Sequence, residues 1–425
     1  MAKIVLATIG SLGDLHPMIA LGMELKARRH EVIIAAMEYY REKIEMIGLG
    51  FAPMAPHIEP GDEQLAKDLM DTNKGSETVI RRLVLPNLRP MYDDLLSAVA
   101  DGDLLVTGEI VYAAPSVVEK TGIKWASTSV SPIVLFSAYD PPVPPPAVWF
   151  ENFRFLGPSF HRALFKVISL PMRTWLEPYR TFRRDLGLDE DRNPIMRDKF
   201  SSDLHLVMFS RVLGAPQPDW PAASVQTGFC FYDGQNDDGQ MPKDLEDFLA
   251  SGDPPIVFTL GSAAVMDARD FFDESAKAAA KLRQRAVLLY GRENPPPKGL
   301  SDSIVGYEYA PYSRVFPRAA CVVHQGGVGT TGQVLRAGVP HLIMPYGHDQ
   351  PDNAARCRRA GVGEMISRDS YNAESASEML MKILSNREYS ANARCLAETV
   401  SSEGGSANAC DAIEHVLRTS QEQVN

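Results

Sequence analysis

Two stretches far apart in the chain, KIVLATIGS (Lys3 to Ser11) and PPIVFTLGS (Pro254 to Ser262), follow one grammar: an unbroken apolar run, a small-residue turn, then a helical pattern. Behind the first come PMIALGMELKARR, EVIIAA, DLLVTG, APSVVEKTG and WASTSV; behind the second come FFDESAKAAAKLRQ, AVLLYG, CVVHQGG and HLIMPYG. A strand that is apolar throughout must be covered on both faces, and a helix between successive strands makes them parallel. The duplication predicts an α/β chain of two doubly wound halves facing each other across a cleft. The 425 residues leave room for both, at roughly 150 or more per domain. The polar, acidic segment FYDGQNDDGQMPKDL (231–245) reads as a linker between an N-terminal domain, 1–230, and a C-terminal domain, 246–404. After two glycines a last helix, 405–425, is expected to pack back across the first domain.

Charge limits the partners. With 43 Lys and Arg against 54 Asp and Glu the net charge is −11, and no basic cluster is interleaved with aromatics, so nucleic acid is not expected as a partner. The apolar run of MAKIVLATIGSLGD is too short for a secretory signal and reads as a first strand, so export is not expected. The longest uncharged apolar stretch, Trp125 to Tyr139, holds four serines and a proline and falls short of the roughly 20 apolar residues of a membrane span. Five scattered cysteines without a C-x-x-C pair suggest neither disulfides nor zinc, and a reducing cytoplasm fits them.

The most specific chemistry lies in HQGGVGTTGQ, from His324. Gly327, Gly329 and Gly332 have the spacing G-x-G-x-x-G, between a strand-like AACVVH and a helix-like TTGQVLRAG, with Asp349 about 20 residues on. Such a turn presents backbone N–H groups and the positive end of a helix dipole to a phosphate, the dipole alone contributing about 0.3–1 kcal/mol. A dehydrogenase uses the same spelling. Here, however, the motif lies in the second half of the chain, and the acid belongs to GHDQPDN. The pair Asp349 and Gln350 offers acceptors and donors to several hydroxyls, where a nicotinamide fold needs chiefly one carboxylate. That favours a sugar.

The stretch from Tyr309 to Gly363, YAPYSRVFPRAACVVHQGGVGTTGQVLRAGVPHLIMPYGHDQPDNAARCRRAGVG, resembles the donor-binding signature of the family-1 glycosyltransferases of GT-B fold. IGSLGDLHPMIALGMELKARRHEV resembles the family's first strand, turn and helix. Within the family the chain is similar to bacterial sterol glucosyltransferases, glycopeptide-antibiotic transferases and the rhamnosyltransferase chain that makes rhamnolipids. The resemblance implies a UDP- or TDP-linked sugar as co-substrate, with no cofactor and no metal. It places Tyr309 against the nucleotide base, where most relatives have Trp, and Ala310 at the base edge. It implies that His324 and the amides of Gly326, Gly327, Val328, Gly329 and Thr330 hold the diphosphate. Asp349 and Gln350 would take the sugar hydroxyls, with Gly261 and Ser262 in a loop near the phosphates. A non-catalytic helper that activates a partner transferase would share the fold.

Displacement at an anomeric carbon needs a base for the acceptor hydroxyl and a stabiliser for the leaving diphosphate. Asp14, in GSLGDLHPM, is the candidate base; family members carry His or Asp there. Pro17 is expected in the first turn of the following helix. His16 is a second contender, and His16, Glu109 and Phe136 are acceptor-side candidates. DGD (Asp101 to Asp103) imitates a metal-binding D-x-D but precedes LLVTG as a turn into a strand. The apolar SPIVLFSAYDPPVPPPAVWF suits a hydrophobic hydroxylated acceptor. HRALFKVISLPMRTWLEPYRTFRR (His161 to Arg184) reads as one basic amphipathic stretch, either a peripheral contact with the inner membrane face or a cover for the first domain.

Overall fold

The computed structural model describes residues 1–57, 63–234, 241–292 and 294–424. Its strands are β1 Lys3–Ala7, β2 Glu31–Ala36, β3 Gly50–Pro53, β4 Leu104–Thr107, β5 Lys124–Ser129, β6 Leu204–Val207 and β7 Ser224–Gln226 in the first half. The second half has β8 Ile256–Thr259, β9 Ala286–Leu289, β10 Ile304–Tyr307, β11 Cys321–His324, β12 His341–Ile343 and β13 Gly363–Met365. The sheet orders are β3-β2-β1-β4-β5-β6-β7 and β10-β9-β8-β11-β12-β13. Every pairing in both sheets is parallel. Strands β1, β4, β8 and β11 are the central ones, and their apolar residues are fully buried, as unbroken Val, Ile and Leu runs require.

In both sheets the strand order reverses between the first strand and its fourth, at β1/β4 and at β8/β11. Connections leave these neighbouring strands toward opposite faces, which opens a crevice beyond their carboxyl ends. The residues just past β1, β4, β8 and β11 therefore line the two crevices.

Several contacts among the described residues join the halves, and three stand out. Leu135, Val207, Phe209 and Phe229 from the first share one apolar cluster with Val328, Leu335, Ile343 and Val400 from the second. The helix Gln350–Arg359 supplies a buried ion network: Arg356 Nε donates to Asp352 Oδ2 at 2.8 Å, its Nη1 donates to Asp140, and Asp352 Oδ1 accepts from Val143 N at 2.9 Å. The last helix, Ser406–Val424, returns to the first half and buries Ala409, Cys410 and Ile413 in its core. Arg28 Nη1 binds Asp411 there at 2.5 Å, and His30 Nε2 lies 3.2 Å from Glu414.

Local chemistry shifts several boundaries. Of the expected linker 231–245, residues 235–240 lie outside the described residues, and the helix Lys243–Ala250 begins before its expected end. Acidic Asp244 and Glu246 suit that helix's first turn. The basic stretch from His161 to Arg184 is not one helix but two, Gly157–Met172 and Glu177–Asp185, because Pro171 and Pro178 interrupt it. Among the described residues no helix is long and apolar enough to cross a membrane.

The Arg356 network carries a stability prediction. Removing one partner leaves Asp352, fully buried, without its counter-charge. Arg356→Ala should cost roughly 3–5 kcal/mol, read as a fall in the denaturant midpoint; Asp352→Asn, which keeps the oxygen for Val143, should cost less.

Candidate active site

The turn after β1 is shaped by a capping box that the sequence spells as Ser11 and Asp14. Ser11 Oγ accepts from Gly13 N at 3.1 Å, and Asp14 Oδ2 accepts from Ser11 N at 2.8 Å, so the helix Leu12–Ala27 starts at Leu12. Pro17 accordingly lies in the second turn, not the first, because the reciprocal cap sets the start before the proline can. Gly10 has φ +122°, and a Cβ there would collide with Asp14 Oδ2. Asp14 thus spends one oxygen on the turn. The residue is partly buried, and burial pushes its pKa up to about 6, with the charge of Asp349 in the other half adding to the rise.

Glu109 follows β4, on the other side of the same crevice. Its Oε1 accepts from Val130 N at 2.7 Å. Burial raises its pKa strongly, and both Asp14 and Asp349 raise it further; the neighbouring Lys199 opposes them, while burial lowers Lys199's own pKa. The ammonium of Lys199 lies over two rings, 5.6 Å from the centroid of Phe136 and 5.3 Å from that of Phe200. Phe136 is half-buried, with φ +47°. His16 points elsewhere, against Tyr232 with ring centroids 5.1 Å apart. Burial, aided by Lys43, lowers its pKa to about 3, so it remains neutral. The structure does not bring His16 to the three carboxylates; it occupies a helix face two positions round from Asp14.

The second half supplies the glycine turn. His324 ends β11 fully buried, and its Nδ1 accepts from Gly326 N at 3.0 Å. Its Nε2 lies 3.0 Å from His341 Nδ1 on β12. With Nδ1 accepting, Nε2 carries the proton and donates to His341. Burial holds both rings well below the ordinary histidine pKa. Both ring nitrogens of His324 are engaged inside the protein, so its side chain positions the turn.

The helix after the turn spans Val328–Ala337 with Gly327 as its N-cap. Gly326 N is taken by His324, and Val328 N donates to Asp349 Oδ2 at 3.1 Å. Gly329 and Thr330, next in the first turn, lie among the positions whose amides have no intrahelical partner. Asp349 Oδ2 also accepts from Asn353 Nδ2 at 2.7 Å, yet burial outweighs these donors and pushes its pKa up to about 6. Gln350 spends its Oε1 on Tyr346 N at 2.8 Å and Gly347 N, so only its amide nitrogen is left for a ligand. Of the acceptors and donors expected from the pair Asp349 and Gln350, the loop takes the Gln350 oxygen.

Gly261 stands past β8 with φ +66°, and a Cβ on it would collide with Gln325 Nε2. Ser262 beside it is exposed. Gln325 is buried between this loop and the glycine turn, with no partner on its Oε1 among the described residues. Sequence reasoning passed over it. Tyr309 is 43% exposed, while Ala310 is fully buried. His348, also unforeseen, has φ +55° and reaches the first half: Nε2 donates to Leu69 O at 2.8 Å and Nδ1 faces Ser76 Oγ at 3.2 Å. DGD belongs elsewhere. Asp101 pairs with Lys3 Nζ at 2.7 Å and Asp103 accepts from Lys3 N, at the amino ends of β1 and β4, away from the crevice.

The raised carboxylates give a pH prediction. A carboxyl with a folded pKa of about 6 against 3.8 unfolded is bound more tightly to its proton in the folded state. Its contribution to stability is complete below pH 3.8 and is lost as pH rises through about 6. Between pH 4 and 7 the Asp14→Asn variant should therefore gain about 1–2 kcal/mol on the parent protein, measured as the difference in denaturant midpoints.

Comparison with known proteins agrees with this geometry. Residues 4–116 match the glycosyltransferase family 28 N-terminal domain, and residues 282–415 match the erythromycin biosynthesis protein CIII-like C-terminal domain. The chain is 32% identical over 439 residues to the O-mycaminosyltylonolide 6-deoxyallosyltransferase of Streptomyces fradiae, covering 98% of each chain. The kitacinnamycin glycotransferase has the same fold, with a TM-score of 0.75 at 20% identity over 98% of this chain and 99% of that one. So does SsfS6 of Streptomyces sp. SF2575, solved with thymidine diphosphate, at 0.66 and 21% over 98% of this chain and 100% of that one. The chain belongs to the family-1-like glycosyltransferases of GT-B fold and is a glycosyltransferase enzyme.

Proposed function

We propose that the protein is an inverting, metal-independent transferase that moves a deoxyhexose or hexose from a TDP- or UDP-linked donor to a hydroxyl of a hydrophobic small molecule or lipid. The observation that carries this reading is that Asp14 and Glu109 follow the neighbouring strands β1 and β4 at one crevice, while Asp349 accepts from Val328 N at the start of the helix after the glycine turn; the charge of Asp349 raises the pKa of both other carboxyls. On this reading Tyr309 stacks on the base, and the amides of Gly329 and Thr330 hold the diphosphate at the helix N-terminus, as Ser262 and Gln325 close the other side. This arrangement neutralises the leaving group with fixed dipoles and requires no metal. Asp349 and the amide of Gln350 hold the sugar. Asp14, through the oxygen not spent on Ser11, takes the acceptor proton as the hydroxyl oxygen attacks the anomeric carbon from the side opposite the diphosphate, which inverts the centre.

Thymidine diphosphate in the solved relative and a deoxysugar in the name of the curated one support TDP-deoxyhexose as the first donor to try. Five free cysteines, four of them buried, support a reducing compartment such as the cytoplasm.

Asp14→Asn should cut kcat by about 10²–10⁴ while TDP still raises the melting temperature of the variant. The parent kcat/KM should climb with pH through about 6, as Asp14 loses its proton. Undiminished turnover in the variant removes Asp14 from the mechanism; absence of any shift with TDP or UDP in the parent protein favours a helper role instead.

A further inference from the structure

The connection from β5 to β6 contains a face at odds with the rest of the surface. Of the sixteen large apolar side chains that are exposed among the described residues, eight lie between Trp149 and Leu170. Phe155 is 81% exposed, Trp149 and Val167 61%, and Leu170 51%. On the helix Gly157–Met172, Phe160, Ala163, Val167 and Leu170 recur at spacings of three and four, so they share its outer face. The inner face is largely apolar as well, with half-buried Leu164 and Phe165 around a buried His161. A surface helix normally turns charge outward; one that is apolar on both sides requires a second apolar neighbour.

The charge beside this face points to the neighbour. From Asn152 to Leu176 the chain has no Asp or Glu, but it has Arg154, Arg162, Lys166 and Arg173. Arg154 is turned inward, to Asp140. Arg162, Lys166 and Arg173 are exposed and make no ion pair among the described residues, whereas exposed arginines on other helices, such as Arg81 and Arg89, pair with an acid one turn away. In a protein of net charge −11, this is a locally cationic apolar surface. A protein partner would require a complementary acidic and apolar patch, and a second copy would bring the same cations face to face. An anionic bilayer offers phosphates to the cations and acyl chains to the rings at once.

We propose that the outer face of residues 149–170 rests on the surface of an anionic lipid bilayer, Phe155, Phe160, Val167 and Leu170 entering the acyl boundary and Arg162 and Lys166 meeting lipid phosphates. Phe165, on the helix's inner side, meets Phe136 with ring centroids 6.3 Å apart, so this face backs onto the acceptor side of the cleft. That consequence rests on the transferase reading; the lipid contact does not.

The test is co-sedimentation of the full chain with vesicles of phosphatidylglycerol and phosphatidylcholine in equal parts, and with phosphatidylcholine alone. The protein should pellet with the mixed vesicles and bind the neutral ones at least about tenfold more weakly. The triple variant Phe155→Ser, Val167→Ser, Leu170→Ser should lose about a hundredfold or more in affinity with an unchanged melting curve, since these side chains already face water. Arg162→Gln with Lys166→Gln should lose roughly fivefold per residue and abolish the preference for phosphatidylglycerol; this pair carries the test if the triple variant melts early. A parent protein that stays in the supernatant with mixed vesicles overturns the proposal. So does a triple variant that binds like the parent, or a concentration-dependent dimer that the triple variant dissolves while neither protein pellets.

Discussion

The cleft exists because one helix, Gln350–Arg359, is anchored to the opposite half by the buried guanidinium of Arg356. Asp349 sits at the amino end of that helix and Arg356 two turns on, so the element that carries an acid into the cleft is the one tied across it. Without such a tie the arrangement would be unfavourable. Asp14, Glu109 and Asp349 each lose solvation there and repel one another, as their upward pKa shifts record. Arg356 sits outside this group, between Asp140 and Asp352, where opposite charges compensate. The shared apolar cluster of Leu135, Phe209, Phe229 and Val328 adds attraction that does not depend on charge.

Within the second half, the glycine turn is held from below by a neutral histidine pair. An aliphatic residue at 324 would fill the space but leave Gly326 N without an acceptor, at a cost of about 1–3 kcal/mol for a buried polar group. His324 accepts from that amide on one side and donates to His341 on the other, which locks the turn to β12. The result is economical. One amide is used by the scaffold, one by Asp349, and those of Gly329 and Thr330 remain at the positive end of the helix.

Much of this was legible because parallel sheets write themselves in continuous apolar runs. The central strands β1, β4, β8 and β11 could be read directly, and the residues just past them are the ones at the crevices. Strands β3 (GFAP), β7 (SVQ), β10 (IVGY) and β13 (GEM) are not marked by the sequence, being short edge strands with half or fewer of their residues strongly apolar; nor is the interior β6 (LHLV), whose apolar run is interrupted by His205. The capping box of Ser11 and Asp14 is written in the sequence, but Pro17 is the more conspicuous signal and points to a later helix start. Motif spacing marks His324 and Gln350 as positions at the site but does not say where each hydrogen bond goes: both ring nitrogens of His324 and the Oε1 of Gln350 are engaged inside the protein. His348 and Gln325 depend on approaches between segments 64 to 279 residues apart, and nothing local marks them.

The two halves also differ in how their strands are joined, and this bears on what each handles. In the second half the connections are short: β11 is followed by β12 after residues 325–340, enough for the glycine turn and one helix. In the first half β5 ends at Ser129 and β6 begins at Leu204, and the long excursion between them holds Phe136, Lys199 and nine of the sixteen exposed large apolar side chains among the described residues. A doubly anionic donor is fully soluble and needs only amides and hydroxyl partners at the crevice, which a short turn can supply. An apolar acceptor has to be desolvated, and doing so takes a large surface that the strand ends alone do not provide. On the proposed reading, the excursion after β5 supplies that surface on its inner side, where Phe165 meets Phe136, while its outer face serves the proposed lipid contact.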